Sequence, residues 1–270
     1  MKNRSFLQKI IGAPYLVWAA IFIVVPLFIV AYFAFTDKSG AFTFRNIRSL
    51  TDYAPFFRDS ILYSLAATVI SLVLAYPFAY VMSRKRERTQ QIMMVLVMLP
   101  MWMSLLILTY SWVTIMEQNG VINTILKNMG FSGVKMIGTP GAVIFGMVYN
   151  YIPYMILPIY SVMAKMDVKL IEAARDLGCN GAGVLRRVIW PLSLPGVISG
   201  VTMVLIPSIS TFYISQKLGN GKFYLIGDAI EGQYTANNLH FAAAIAFILM
   251  VILLFGMAFM QRFANKRAAV

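Results

Sequence analysis

Charge is what this 270-residue chain has least of. Only 12% of its residues are Asp, Glu, Lys or Arg, about half the share of a soluble domain. Hydrophobic residues make up 60%, and the mean hydropathy is +0.74. These values describe an integral membrane protein. A single cysteine, Cys179, excludes an internal disulfide, and it falls in a segment expected to face the cytoplasm, where it stays reduced. With one histidine, no carboxylate cluster and no cysteine pair, nothing resembles a metal site. No acid lies in the middle of an apolar span, and Glu117 and His240 stand at span edges. Proton-driven carriers place ionisable groups inside the membrane, so secondary transport is disfavoured. A phosphate-binding loop is missing too. Gly219-Asn220-Gly221-Lys222-Phe223 has Gln216 where the first glycine belongs and Phe223 where Ser or Thr belongs. The chain is therefore expected to bind no ATP and no other cofactor, and to catalyse nothing by itself.

What is present is a set of apolar spans. They are expected at 13–35, 60–82, 91–116, 140–163, 194–213 and 241–263, each near the roughly 20 residues that cross a bilayer. The expectation is an all-α polytopic fold, a single transmembrane domain over 1–270. The first span follows a short basic start, Met1 to Lys9. It is long for a signal sequence and lacks a small-x-small cleavage site, so a retained signal anchor is expected. The net charge of +13 would suit nucleic acid, but its distribution favours another explanation. The N-terminus, the second and fourth loops and the C-terminus hold fifteen Lys and Arg against four acids. The other three loops hold eight against six. By the positive-inside rule both termini and the fourth loop, 164–193, are cytoplasmic.

Within and just beyond that fourth loop lies the longest polar interruption of the spans, Glu172 to Gly196. Asp167 is placed to cap a first short helix whose apolar stripe is Leu170, Ile171, Ala174 and Leu177. Gly178 stands where a helix-ending glycine belongs. Ala182 to Trp190 form a second helix that Pro191 should stop, and Pro195 begins the return into the membrane. Read alone, this is an amphipathic loop lying on the bilayer. A DNA-binding helix-turn-helix is excluded by the membrane-length apolar stretches on both sides.

The spacing carries more. Glu172-Ala173-Ala174, three residues, Gly178, then twelve residues to Pro191 resembles the EAA loop of bacterial ABC importer permeases, with Val188 and Trp190 where Ile and Leu are usual. Further stretches are similar to the spermidine/putrescine (PotB-type) permeases of that family. They are Tyr76-Pro77-Phe78-Ala79-Tyr80, Leu99-Pro100-Met101-Trp102, Leu205-Ile206-Pro207, Phe212-Tyr213-Ile214-Ser215, Leu218-Gly219 and Leu225-Ile226-Gly227. The resemblance implies a type I importer permease in a bacterial inner membrane. It also implies a heterodimer with a second, similar permease, two ATPase subunits that hold the ATP and magnesium, and an extracytoplasmic substrate-binding protein. Related permeases for sulfate, molybdate, thiamine or ferric iron share the loop and the six-span core. A non-transporting scaffold would leave the EAA spacing unexplained.

Because energy must arrive from another subunit, the fourth loop has a physical task. A cytoplasmic ATPase moves membrane helices only through a rigid lever. Glu172 offers a negative charge, Ala173 and Ala174 permit close approach, Gly178 makes the bend, and Pro191 stiffens the link to the fifth span. The resemblance implies that these residues dock in a groove of the ATPase. Pathway candidates are the polar and aromatic residues of the third to fifth spans, chiefly Trp102, Tyr110, Asn150, Tyr154 and Tyr213. Trp112, by contrast, suits an interfacial aromatic belt. Pro100, Pro153 and Pro207 suggest broken helices around that pathway. Aromatic faces and freed carbonyls suit a cation, and no span interior holds Lys or Arg for an anion. Gly196 and Gly200 form a small-xxx-small pair expected to pack closely.

Overall fold

The computed structural model describes residues 14–268. Met1 to Lys9 and Ala13 lie outside the described residues, as do the side chains of Lys266 and Arg267 in the tail. In chain order the helices are α1 (Pro14–Ala34), α2 (Ala54–Ser83), α3 (Glu87–Trp102), α4 (Leu105–Met116), α5 (Val121–Asn128) and α6 (Pro140–Ala164). They continue with α7 (Val168–Asp176), α8 (Gly181–Ser210), α9 (Tyr213–Leu218), α10 (Ile226–Thr235) and α11 (Leu239–Ala268). No strand forms among the described residues, only an isolated bridge between Thr36 and Phe42. The fold is all-α, as its composition requires. Five helices are long and apolar enough to cross a bilayer, and the bent pair α3–α4 makes a sixth if it counts as one span.

The sequence expectation departs from the structure where proline was asked to break helices. The third span is not one helix. It bends by 91°, and the break lies at Met103 and Ser104, both extended, rather than at Pro100. Pro153 and Pro207 break nothing, since α6 and α8 run unbroken through them. Pro191 does not stop a helix either. A π turn, Leu185–Ile189, leads directly into Trp190–Ser210, so the second helix of the fourth loop and the fifth span are one rod. The Trp190 N–H donates to Leu185 O, five residues back. The same device stands in α1, where the π turn Ala20–Val24 precedes Pro26. In both, the wider turn accommodates a ring that lacks an N–H and crowds the carbonyl four residues back.

The chain forms two compact units. One comprises, among the described residues, 14–54 and 229–252. Here the Thr36 hydroxyl donates to Tyr32 O at 2.7 Å, and Phe35 stacks on Phe42 and meets Phe44 and Phe247 edge-on. Asp37 accepts from the Ser39 hydroxyl and from the Ser39 and Ala41 N–H groups, which hold its carboxyl below the usual range and fix the turn.

The other unit comprises, among the described residues, 55–228 and 253–268. Its spine is α6 lying lengthwise against α8. Lipid is as apolar as leucine, so close backbone approach rather than hydrophobic burial decides this seam. A Cβ added at Gly196 would sit 2.8 Å from Pro158 O, and one at Gly200 would sit 2.8 Å from Met155 Sδ. One buried cluster joins Ala75 and Ala79 of α2, Met155 and Ile159 of α6, Ile171 of α7 and Ile189 of α8. A second joins Met147, Ile214, Leu218 and Leu225.

Candidate functional site

The candidate coupling segment, α7 and the turn into α8, is built by local rules. Asp167 caps α7, accepting from the Lys169 N–H at 3.0 Å. At the other end Gly178 has φ +83°, and its N–H donates to Arg175 O at 2.8 Å while the Cys179 N–H donates to Ala174 O at 3.0 Å. This is a Schellman ending, with glycine at its left-handed position. A Cβ at Gly178 would meet nothing within 4 Å, so the sign of φ alone calls for glycine. Asn180, which the sequence reading passed over, then caps α8 by accepting from the Gly183 N–H at 2.8 Å. Its signal was an Asx residue just before a helix, obscured by the glycines around it.

The apolar stripe expected on α7 divides in two. Ile171 and Ala174 are buried in the first cluster, whereas Leu170 is exposed and Leu177 is 85% exposed. Leu170, Ala173 and Leu177 stand at i, i+3 and i+7, so they share a face turned away from the protein. Glu172 is exposed as well. α7 thus presents an apolar strip and a carboxylate outward while Ile171 anchors it inward. Beside it opens a cavity of about 420 Å³ lined by Tyr80, Val81, Arg84, Lys85, Val168, Ile171 and Arg175, with no carboxylate in its lining. Pro191 lies inside the α8 rod, next to Ser193, whose hydroxyl pairs with Tyr76 OH at 2.9 Å; the Trp190 ring leans on the Tyr76 ring. The rod is therefore fastened to α2 as well as to α6.

Of the pathway candidates, the structure brings Tyr110 and Tyr213 together, with ring centroids 6.2 Å apart and edge to face. Trp102 closes α3 at the bend and is 66% exposed. Tyr154 lies 6.3 Å from Tyr151, whose hydroxyl reaches Pro207 O at 3.5 Å. Asn150 joins no other candidate, and its amide donates to its own helix at Gly146 O, 2.8 Å away. Trp112 is half-buried and packs edge-on against Phe145 and Tyr149.

One neighbour of this site went unread in the sequence. The Lys217 ammonium lies 5.1 Å from the Tyr110 ring centroid and 5.7 Å from that of Tyr213. Its hydrogen bond with the Tyr110 side chain holds the ammonium above its ordinary pKa. The i, i+4 spacing of Tyr213 and Lys217 was the available signal, but only if residues 213–218 were known to be helical.

Comparison with known proteins follows this geometry. Residues 67–269 match the family described as "Binding-protein-dependent transport system inner membrane component". The chain is 36% identical over 267 residues to the spermidine/putrescine transport system permease protein PotB of Haemophilus influenzae, covering 94% of this chain and 93% of that one. It is 31% identical over 247 residues to PotB of Escherichia coli K12, covering 87% and 90%. Among solved structures, a bacterial ABC transporter involved in the import of the acidic polysaccharide alginate matches with a TM-score of 0.77 at 18% identity, covering 98% and 96%. The MetNI methionine ABC transporter matches at 0.55 and 16%, covering 80% and 95%. At those identities the structures speak for the fold.

Proposed function

We infer, from the premise that this chain belongs to the family of binding-protein-dependent transport system inner membrane components, that it is one of two permease subunits of an ATP-driven importer of polyamines. The single observation that carries the importer reading is α7, with an apolar strip of Leu170, Ala173 and Leu177 exposed, Glu172 exposed beside it, and Ile171 and Ala174 buried against α2, α6 and α8. Such a helix has one face for a partner and one for the membrane rods.

The mechanism follows from what each contact can transmit. ATPase subunits that hold ATP and magnesium grip the exposed face of α7, and Glu172 pairs with a cationic or donor group there. Their closure displaces α7. Ile171 passes the displacement to the first cluster, and because α6 and α8 approach closely at Gly196, against the Pro158 backbone, and at Gly200, against Met155, those two rods move together. The bend at Gly178 and the cap at Asn180 tie α7 to the cytoplasmic end of α8. Pathway aromatics on α4 and α9 shift against their counterparts on a second permease. The charge asymmetry supports a topology with both termini and α7 in the cytoplasm.

The polyamine cargo rests on the relatives' names and on chemistry. Named relatives at 31–36% identity are spermidine/putrescine permeases. The rings of Tyr110 and Tyr213, set edge to face, form a corner that attracts ammonium groups. The test is uptake of labelled spermidine by the complex reconstituted with its second permease, ATPase and binding protein, competed with putrescine, sulfate and thiamine. Uptake blocked by putrescine alone is expected. Uptake of sulfate or thiamine in place of spermidine would transfer the chain to a sister permease group.

A further inference from the structure

A cation already occupies the aromatic corner that a substrate ammonium would use. Lys217 Nζ stands within 6 Å of both ring centroids, 5.1 Å from Tyr110 and 5.7 Å from Tyr213, the range over which a ring quadrupole holds a cation. The two rings meet at 74°, so the ammonium is served by two surfaces rather than one. Lys217 makes no ion pair among the described residues, which leaves the aromatic corner and the Tyr110 hydroxyl as its partners there.

The support beneath it is firm. Ile214, Ser215 and Leu218 on the same short helix are buried. Ile214 and Leu218 seat against Gly146 of α6, where an added Cβ would collide with both side chains. That helix face is fixed, while the Lys217 side chain has a long unbranched stem that can swing. Tyr213, one turn back, moves with the same backbone, but Tyr110 comes from α4, beyond the bend of the third span. The contact therefore bridges two elements, α4 and α9, which also pack against each other through Met116, Ile214 and Leu218, and its one charged member is a flexible side chain.

We propose that Lys217 is a tethered surrogate for the substrate's ammonium, holding the Tyr110–Tyr213 corner in the empty permease and giving it up to a polyamine. The proposal rests on the polyamine reading above. Two ammonium groups cannot share the corner, because like charges a few ångströms apart repel. An arriving polyamine must displace the lysine, and the exchange replaces one ammonium by another without baring the rings. The corner stays closed to neutral solutes, which gain nothing from an aromatic face that a cation already holds. Lys217 is thus a specificity-determining residue with an autoinhibitory contact.

The experiment is equilibrium binding of radiolabelled spermidine to the full permease–ATPase complex in nanodiscs at fixed ionic strength. The binding protein is left out so that its own affinity does not mask the site. With the competitor removed, K217M is expected to tighten spermidine by about threefold to tenfold, the scale of one partly desolvated cation–aromatic contact. K217R keeps the charge and should stay within about twofold of the wild type. In a Tyr110→Leu/Tyr213→Leu background binding should weaken and the gain from Lys217→Met should vanish, because the competed site is gone. Co-purification of the ATPase verifies assembly, and K217Q replaces K217M if that variant fails to assemble. An unchanged or weaker K217M affinity overturns the proposal. So does a gain that persists in full without the two tyrosines, since it would report a long-range charge effect. Spermidine uptake by the complete wild-type system is measured alongside. If that fails, the cargo reading falls and takes the proposal with it; if it succeeds while K217M does not tighten binding, only the proposal falls.

Discussion

Replacing Gly178 isolates the backbone of the coupling segment from its side-chain packing. The position has φ +83°, and a Cβ there would meet nothing within 4 Å. Alanine therefore adds no clash and is penalised only for the left-handed conformation, by about 1–2 kcal/mol. Unwinding the turn to escape that strain would give up two hydrogen bonds, Gly178 N–H to Arg175 O and Cys179 N–H to Ala174 O, together worth about 2 kcal/mol net. The escape costs no less than the strain. The bend should persist in G178A, but with its equilibrium weakened by up to about 5–30-fold, the factor that 1–2 kcal/mol represents. Asparagine visits the left-handed region at small cost, and a β-branched residue does so hardly at all. The expected order of ATPase affinity for the permease is Gly, then Asn, Ala and Val, with G178N within about threefold of the wild type. Binding of the purified ATPase to nanodisc-embedded permease heterodimer, followed by labelled-substrate uptake, measures the order. Equal affinities for G178A and the wild type would refute the argument from φ. Equal losses for G178N and G178V would show that space, not backbone sign, governs the site.

Three further outcomes follow from the same geometry. Glu172→Ala removes an exposed side chain, so stability should change by less than about 0.5 kcal/mol, while uptake falls steeply in a complex that assembles normally; retained uptake would remove Glu172 from the coupling contact. Ile171→Ala empties a buried position under α7, for which a loss of about 2–5 kcal/mol is expected; a lower melting temperature should accompany reduced ATPase coupling, and a coupling defect without destabilisation would contradict the anchoring role. Ser104→Pro should be tolerated, because Ser104 has φ −62°, Met103 before it is extended at ψ 150°, and the Ser104 N–H donates no backbone hydrogen bond among the described residues. Uptake within about twofold of the wild type is expected, and its loss would mean that α3 and α4 straighten into one helix during the cycle.

The parts of the coupling segment that were legible in the sequence obey local rules. Asp167 caps because Asp before an apolar helix caps, and Gly178 terminates α7 because glycine alone is at ease with positive φ. The parts that were not legible depend on what lies around a residue. Leu170 and Leu177 fit an amphipathic stripe as well as Ile171 does, and only the position of the core decides that Ile171 turns in and the leucines turn out. Pro191 looked like a stop because proline costs an ordinary α-helix a hydrogen bond, but the preceding π turn had already rearranged the ladder. Lys217 belonged to a loop until residues 213–218 proved helical and α4 brought Tyr110 to it. This division matters for how force travels. The seam of α6 and α8 is stiff because a carbonyl and a sulfur occupy the space where Gly196 and Gly200 lack side chains, and it leaves no slack for a lever to waste. The bend at Met103–Ser104 is the opposite case, two extended residues between helices, with Trp102 exposed on one side and Tyr110 two turns along the other. On the lever reading proposed above, a displacement entering at Ile171 meets the closely packed α6 and α8 before it reaches that bend. The aromatic corner of Tyr110, Tyr213 and Lys217 lies beyond it, with one member on α4 and two on a helix pinned to α6, so on that reading a shift of α4 against α6 is felt at the corner.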